Sequence, residues 1–145
     1  MEEKMITNKF FRGIDDLTDA FFIRKQVFID EQGISETIER DSYDQSSDHV
    51  VIYENSQPIG TGRLVFKYGE YSIGRVAVLK EHRAKNVGAL VVNLLKDKAI
   101  HHGASEVHVH AQKEVEGFYR KLGYKAYGDI YEEAGIEHIS MSINR

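Results

Sequence analysis

The spacing of apolar residues in the N-terminal half of the chain predicts one helix and several strands. Ile6 to Phe11 reads as a first strand, and Asp15 or Asp16 then begins a helix whose apolar residues recur at helical spacing. Three strand segments follow, joined by turns so short that the strands should pair antiparallel. The apolar helix positions are Leu17, Ala20, Phe21, Val27 and Phe28, and the three strands cover residues 49–53, 59–66 and 72–78.

The C-terminal half predicts two more helices and three more strands. Apolar residues between 87 and 99 stripe one face of a helix that Gly103 ends. Residues 107–112 alternate between apolar and polar in a fifth strand, a short helix at 114–122 closes at Gly123, and two strands flank residues 134–135. The resulting order, β-α-β-β-β-α-β-α-β-β, predicts an α/β (mixed α+β) fold, in which helices pack on the faces of a mixed sheet.

Charged residues in the N-terminal half allow two interpretations. Arg24 falls inside the apolar helix stripe, and we expect its stem to cover the core while its guanidinium reaches water, in preference to a functional role. The segment 36–48 is acidic, without apolar periodicity, and reads as a loop or short helix. Its carboxylates could attract a cationic amine substrate or simply be solvated. They belong to Glu36, Glu39, Asp41, Asp44 and Asp48.

Length and composition narrow the class of protein. The 145 residues suffice for a proper core, and we expect one domain over 1–145. The absence of cysteine excludes disulfides, thiolate nucleophiles and cysteine zinc sites. No stretch reaches about 20 apolar residues and no signal-peptide pattern is present, so we expect a cytoplasmic protein without a membrane partner. A net charge of −4 argues against a nucleic-acid partner and favours a small molecule or protein.

A phosphate-binding element is predicted at residues 76–90. A β-branched run ends there in a short basic loop, which opens directly into the striped helix. The first turn of a helix presents free backbone N–H groups, and its macrodipole adds positive potential. Arg83 and Lys85 would add mobile positive charge, although alone they could be solvated loop cations. The order of strand, loop and helix favours the phosphate role.

Residues 83–88 (RAKNVG) resemble the Arg/Gln-x-x-Gly-x-Gly/Ala signature of the GNAT superfamily of acyl-CoA-dependent N-acyltransferases. The order of elements is similar to that family's over nearly the whole chain. Arg83 and Gly88 match the first and last signature positions, whereas Asn86 replaces the middle glycine. Asparagine is one of the few residues that tolerate a positive φ, but it places a side chain where the backbone must approach a pyrophosphate.

A set of shorter motifs resembles the ElaA-like branch of this superfamily. No single motif is specific, but their joint order is hard to produce by chance. The motifs are Arg24-x-x-Val27-Phe28-x-x-Glu31-Gln32, Asp41-x-x-Asp44 followed by His49, Gly60-Thr61-Gly62-Arg63-Leu64, Gly74-Arg75-Val76-Ala77-Val78, Ala111-Gln112, Phe118-Tyr119, and Gly135-Ile136-x-His138 with Met141.

The resemblance implies a fold, a reaction and a set of site residues. The fold would be the GNAT fold, whose mixed, largely antiparallel sheet has six to seven strands, with a homodimer as one expected assembly. The reaction would move an acetyl group from acetyl-CoA to a primary amine by direct attack, without a metal. Tyr119 would protonate the departing CoA thiolate, and the Val76 N–H would hold the oxyanion. The implied CoA-binding residues are Val76, Ala77, Val78, Arg83, Lys85, Asn86, Val87, Gly88, Ala89, Gln112 and Phe118.

The general base is the least determined part of this assignment. Direct transfer needs a neutral amine, so a group or a water chain must remove its proton. Relatives place a glutamate or histidine on the fourth strand, but residues 72–76 offer neither. His110 and Glu133 are the first candidates, followed by His138 and His49.

Two other classes of function fit parts of the sequence. His108 and His110 lie on one face of a strand, so with His49 or His138 as a third ligand they could form a metalloenzyme site. Alternatively, the fold could be a CoA-binding or partner-binding module without catalysis, since Asn86 and the missing fourth-strand base both depart from the family pattern.

Overall fold

Seven strands form one mixed sheet in the computed structural model, which describes residues 4–145. The strands are β1 (Ile6–Arg12), β2 (Asp48–Glu54), β3 (Gln57–Lys67), β4 (Glu70–Val78), β5 (Glu106–Gln112), β6 (Lys125–Glu133) and β7 (Ile136–Asn144). The helices are α1 (Thr18–Arg24), which continues as a π-helix (Lys25–Glu31), α2 (Glu36–Glu39), α3 (Val87–His101) and α4 (Glu116–Lys121). Short 3₁₀ turns lie at Ser42–Ser46, Lys80–His82 and Lys113–Val115. The predicted order of strands and longer helices is confirmed.

The sheet order is β1-β2-β3-β4-β5-β7-β6, and every neighbouring pair is antiparallel except β4 with β5. The antiparallel pairing predicted for the three sequential strands is therefore confirmed. β6 forms one edge of the sheet, and a homodimer through the C-terminal strands stays a prediction. No helix within residues 4–145 has both the length and the apolar character needed to cross a membrane.

The parallel pair β4–β5 is short. Only Tyr71, Ser72 and Ile73 of β4 have partners on β5, and the last pair joins Ile73 to Val109. Beyond this point β4 continues for five residues, 74–78, that have no strand partner on the β5 side. The two strands thus part in the middle of the sheet and leave a wedge between them.

A β-bulge lies in β4 just after the strands part. The register with β3 pairs Gly74 with Arg63 and Ala77 with Thr61, so two β4 residues, Arg75 and Val76, face one residue of β3. Arg75 has a φ of 51°, in the left-handed region that non-glycine residues rarely adopt. A bulge bends its strand and increases the local twist, which here accompanies the divergence from β5.

Each face of the sheet carries its own core. On one face, Val50 and Ile52 of β2 pack in a cluster with Val91 and Leu95 of α3. On the other face, Val51 packs with α1 and the π-helix. Because successive strand residues point to opposite faces, neighbouring β2 residues serve both cores.

Arg24 does not reach solvent as we expected from the sequence. Its side chain is 1% exposed, and its guanidinium lies inside the protein. Nε donates to Glu39 Oε2 at 2.7 Å and Nη1 donates to Asp44 Oδ1 at 2.8 Å. The expectation of a solvated guanidinium was wrong because two carboxylates from the acidic segment neutralise the charge in the interior.

Most of the acidic segment is likewise not solvated, because Glu39, Asp41 and Asp44 are bound by arginines, whereas Glu36 stays exposed. Arg63 donates to Asp41 at 2.7 Å and to Asp44 at 2.9 Å, and Arg75 lies 3.2 Å from Glu39 Oε2. Burial alone would raise the pKa of Asp44, but the hydrogen bonds and charges of Arg24 and Arg63 outweigh it and lower that pKa to about 2. These acids therefore hold α2 and the following turn against the sheet. They are not free to attract a substrate cation.

Replacing the buried arginine should destabilise the fold. Arg24→Met leaves Glu39 and Asp44 buried with fewer cationic partners, so we expect the free energy of unfolding to fall by about 3–5 kcal/mol. Urea denaturation at neutral pH measures this. The matched control is Arg120→Met, which removes an ion pair with Glu116 from a side chain that is 56% exposed and should cost much less. Equal losses in both variants would contradict a structural role for the Arg24 network.

Candidate active site

The wedge between β4 and β5 opens into a cleft of about 1240 Å³. The cleft brings together most of the residues that the sequence singled out, from five different elements and the loop before α3. Those toward the loop are Val76, Val78, Arg83, Asn86, Val87, Gly88 and Ala89. Those across the wedge are His110, Gln112, Phe118, Tyr119 and Glu133. The arrangement gives one continuous space with a helix N-terminus at one end and titratable side chains at the other.

Two of the predicted CoA-binding residues do not line the cleft. The side chain of Ala77 is buried in the core on the α1 side of the sheet, so only its backbone belongs to the candidate stretch. Lys85 is exposed in the loop before α3 and is not among the lining residues. Ala84, which the sequence did not single out, does line the cleft and has a φ of 67°. A strained alanine in a loop leaves no signal in the sequence.

The N-terminus of α3 faces the cleft with free donors. Asn86 precedes the helix with a φ of 63°, which confirms that asparagine supplies the left-handed conformation in place of glycine. Its side chain makes no capping hydrogen bond, and its carbonyl accepts from the Leu90 N–H at 3.0 Å. The N–H groups at the start of a helix have no acceptor within the helix. Those of Val87, Gly88 and Ala89 are therefore suited to bind an anion.

Gly88 forms the floor of this anion-binding element. A Cβ placed there would lie 3.3 Å from Phe118 Cζ and 3.7 Å from Val78 Cγ2. The first distance is tighter than most side-chain contacts, so α3, α4 and β4 meet closely at this residue. Glycine therefore keeps the space above the first helical turn open.

Arg83 is hydrogen-bonded at the rim of the cleft. It is therefore not the mobile positive charge that the sequence predicted. Its two terminal nitrogens donate to the carboxylate of Glu31 at 2.7 Å each, and its Nε donates to the Val78 carbonyl at 3.0 Å. On the opposite side of the wedge, Gln112 Nε2 donates to Gln32 Oε1 at 2.9 Å. The end of the π-helix is thus tied to both diverging strands. An anion at α3 would compete with Glu31 for Arg83.

Tyr119 is a buried phenol that reaches the cleft. Its side chain is 6% exposed and its ring packs edge-on against Phe118 and Tyr124. Burial raises the pKa of Tyr119, so the phenol stays protonated at neutral pH. Its hydroxyl makes no hydrogen bond with the rest of residues 4–145, and its proton is therefore free for a ligand in the cleft.

His110 lies near a carboxylate that the sequence analysis missed. His110 Nδ1 is 2.9 Å from Ser140 Oγ, and its Nε2 is 3.8 Å from Glu70 Oε2. Glu70 lines the cleft as the first residue of β4, and its other oxygen is 2.9 Å from His108 Nδ1. The fourth strand was predicted to start at 72, which left Glu70 in the turn. Extending the alternation by one step would have placed Glu70 on the same face as Ser72 and Gly74.

The remaining base candidates lie in different environments. Glu133 is 63% exposed, and one of its oxygens is 3.8 Å from His138 Nε2. His138 also lines the cleft, and its Nδ1 is 2.7 Å from the Ile136 carbonyl. His49 is buried away from the cleft, and its Nε2 is 2.9 Å from the Asp44 carbonyl. Burial lowers the pKa of His49, which is consistent with a neutral, hydrogen-bonded core residue.

The histidine pair on β5 is bound by neighbouring side chains. His108 Nδ1 is 2.7 Å from the Tyr127 hydroxyl, and its Nε2 is 2.7 Å from Glu106 Oε1. Across residues 4–145 there is no group of three or more histidine, aspartate or glutamate side chains placed to hold a metal ion. The third ligand required by a metalloenzyme interpretation is therefore not supplied by His49 or His138.

Comparison with known proteins identifies the family. A model of the acetyltransferase (GNAT) domain matches residues 15–145. The chain belongs to the GNAT acetyltransferase family. It is 36% identical over 128 residues to YjcF of Bacillus subtilis, called an uncharacterized N-acetyltransferase, a match that covers 88% of this chain and 91% of YjcF.

Escherichia coli ElaA supports the narrower assignment. It is 27% identical over 135 residues, which cover 90% of this chain and 88% of ElaA. The crystal structure of ElaA superimposes with a TM-score of 0.84 over 95% of this chain and 99% of that one, at 24% identity. An acyl-CoA N-acyltransferase from Pseudomonas aeruginosa shares the fold with a TM-score of 0.83 over 95% of this chain and 99% of that one, at 23% identity. The predicted GNAT fold and the ElaA-like branch are both confirmed.

Filling the floor of the anion-binding element should remove CoA binding. In Gly88→Trp the indole would occupy the space between Phe118 and the first turn of α3, so we expect no measurable CoA binding by isothermal titration. Gly117→Trp is the matched control, since Gly117 has open space around its Cβ position and lies outside the cleft. Thermal unfolding shows whether both variants are folded. A folded Gly88→Trp protein with wild-type affinity would show that the phosphates bind elsewhere.

Proposed function

We propose that this protein transfers an acetyl group from acetyl-CoA to a primary amine by direct attack of the amine on the thioester. The observation that carries the proposal is the cleft itself. The part of β4 that does not pair with β5, the N-terminus of α3, and Tyr119, whose hydroxyl has no partner within residues 4–145, all line one space. An extended donor with an anionic end and a reactive thioester end fits such a space.

The donor would lie along β4. The backbone at 76–78 would hold the pantetheine arm by extending the ladder that β5 leaves incomplete. The N–H groups at 85–89 would hold the pyrophosphate, with Lys85 adding charge from outside the cleft and Arg83 exchanging Glu31 for phosphate. Gln112 and Phe118 would line the opposite wall. Ala77 would take part through its backbone alone.

The chemical step forms a C–N bond and breaks the C–S bond. The amine nitrogen attacks the thioester carbonyl, whose oxygen becomes negative and accepts a hydrogen bond from the Val76 N–H. Collapse expels the CoA thiolate, which receives a proton from the Tyr119 hydroxyl. Because burial raises the pKa of the phenol, Tyr119 carries its proton when the thiolate begins to leave. Holding amine and thioester side by side supplies much of the acceleration.

His110 is the proposed base, with Glu70 beside it. The ammonium form of the acceptor must lose a proton before attack, and His110 lines the cleft with its imidazole near the Glu70 carboxylate. The fixed bond to Ser140 orients the ring. Glu133 is the weaker candidate, because its carboxylate is mostly exposed and has no close hydrogen-bond partner within residues 4–145.

We also propose a cationic acceptor, attracted by carboxylates other than those of the acidic segment 36–48. Glu39, Asp41 and Asp44 of segment 36–48 are neutralised by Arg24, Arg63 and Arg75. Glu70 and Glu133 instead provide negative charge in the acceptor part of the cleft. Acceptors that carry an ammonium group should therefore be tested first.

Turnover tests the proposal as a whole. The protein is incubated with acetyl-CoA and a panel of primary amines, and both thiol release and the mass of the acetylated amine are measured. Amine-dependent release with a matching product supports the proposal. Binding of acetyl-CoA without turnover of any amine would favour a non-catalytic CoA-binding module, and absence of binding would overturn both.

Removing the Tyr119 hydroxyl should affect the chemical step and not donor binding. We expect Tyr119→Phe to lower kcat by about 10²-fold or more, because general-acid catalysis contributes on that scale, with little change in acetyl-CoA affinity. Tyr124→Phe is the matched control, since the Tyr124 hydroxyl is buried with no hydrogen-bond partner among residues 4–145 and Tyr124 does not line the cleft. An unchanged kcat in Tyr119→Phe would remove this residue from the mechanism.

The two base candidates can be separated by paired substitutions. We expect His110→Gln to lower kcat by about 10²–10⁴-fold and Glu133→Gln to leave it near the wild-type value. Steady-state rates at saturating acetyl-CoA measure both. The reverse pattern would assign the base to Glu133, and wild-type rates in both variants would indicate a water chain or Glu70 itself.

A further inference from the structure

Gly74 occupies a position where the fold itself does not require glycine. A Cβ built on Gly74 meets no heavy atom within 4 Å, and its φ lies outside the left-handed region. Gly62, on the neighbouring strand, behaves differently, because a Cβ there would lie 2.6 Å from Val91 Cγ1 of α3. Packing therefore explains Gly62. Gly74 lines the cleft, and apart from its chain neighbours no heavy atom of residues 4–145 lies within 4 Å of where its side chain would begin.

The position of Gly74 along β4 places that space at the reaction centre. Ile73 is the last β4 residue paired with β5, and the bulge residues Arg75 and Val76 follow Gly74 directly. Gly74 is therefore the first residue of β4 inside the wedge. It is also the residue on the far side of the bulge from Val78.

The direction in which acyl-CoA lies along β4 determines which part of it is next to Gly74. This inference rests on the proposed function. A pantetheine arm that runs along the backbone from Val78 to Val76 brings the sulfur in from the Val78 side. With the thioester carbonyl at the Val76 N–H, the acyl chain leaves the carbonyl carbon on the side away from the sulfur. That side is Gly74 and then Ser72, both of which line the cleft.

Two apolar side chains line the cleft near this space, beside the ion pair that Arg63, the β3 partner of Gly74, forms with Asp41. Val65 of β3 lines the cleft on the strand next to β4, where it pairs with Ser72. Ile38 of α2 lines it as well, and α2 is fixed over β4 by Arg75, whose Nε donates to the Glu39 carbonyl at 2.9 Å. An acyl chain longer than acetyl that reaches Val65 and Ile38 would bury apolar surface against them, which favours its binding.

We infer that Gly74 determines the acyl-chain specificity of the enzyme, and that the missing side chain leaves room for donors longer than acetyl-CoA. A side chain at position 74 would occupy the volume that the chain beyond the first methyl group needs. Acetyl transfer requires little of that volume, so it should survive a small substitution. Specificity for chain length would then change without loss of the catalytic machinery.

The test compares the wild type with Gly74→Ala and Gly74→Val on acetyl-, propionyl-, butyryl- and hexanoyl-CoA with one fixed amine. We expect the wild type to use butyryl-CoA within about tenfold of acetyl-CoA in kcat/KM. Gly74→Val should lower the ratio of kcat/KM for butyryl-CoA to that for acetyl-CoA by about 10–200-fold, the discrimination that one methylene group gives in a hydrophobic pocket. Gly74→Ala should change the ratio in the same direction by less. Gly117→Val is the matched control outside the cleft and should leave the ratio unchanged.

Two further measurements separate the ways in which the inference could fail. Amines of increasing size are compared at fixed acetyl-CoA, and a size effect there without a chain-length effect would assign the space to the acceptor and overturn the inference. Titrations with CoA and with butyryl-CoA, both without amine, measure how much the acyl chain adds to binding affinity, independently of turnover. If no acyl-CoA is turned over, the proposed function fails, but Gly74→Val must still weaken butyryl-CoA binding more than CoA binding. Equal affinities in that titration, or an unchanged ratio in turnover, overturn the role of Gly74.

Discussion

The incomplete pairing of β4 with β5 is the constraint on which the functional part of this structure depends. If β4 and β5 paired along their full length, their facing backbone N–H and C=O groups would all be hydrogen-bonded to each other. Here only three residues of β4 pair with β5, and the bulge at Arg75 and Val76 follows immediately. The unpaired backbone beyond Ile73 is left facing a cleft, and unpaired backbone donors and acceptors are what an extended ligand can use. The N-terminus of α3 and the phenol of Tyr119 become a site because they face the same opening.

The wall of that cleft is held in place by buried charge. Arg24 from α1, Arg63 from β3 and Arg75 from β4 converge on Glu39, Asp41 and Asp44, so the segment between the π-helix and β2 is fixed over the sheet. Ion pairs of this kind contribute little net stability relative to an apolar core, but removal of one partner is costly. The network therefore defines one geometry for the segment, and it also removes these acids from any role in attracting the acceptor.

Much of the fold follows from sequence patterns, because periodicity and turn chemistry are local. The stripe of α3, the hairpins of β2 to β4 and the left-handed Asn86 were all predictable, and the motif order identified the family. What could not be predicted depends on residues distant in sequence. The buried state of Arg24 required knowledge that Glu39 and Asp44 come to meet it, and the π-helical turn after α1 has no sequence signature. Glu70 was missed because a strand boundary was placed two residues late, and Ala77 was assigned to the site although the bulge turns its side chain to the opposite core.

The proposed function requires that acyl-CoA binds in the wedge between β4 and β5. Backbone amide NMR on the uniformly ¹⁵N-labelled protein, titrated with acetyl-CoA, tests this residue by residue. The account predicts that the largest shift changes fall on Val76, Val78 and the N–H groups of residues 85–89, with little change on β1 or β6. Saturable binding whose shift changes lie outside the wedge, or no binding by the folded protein, would contradict it.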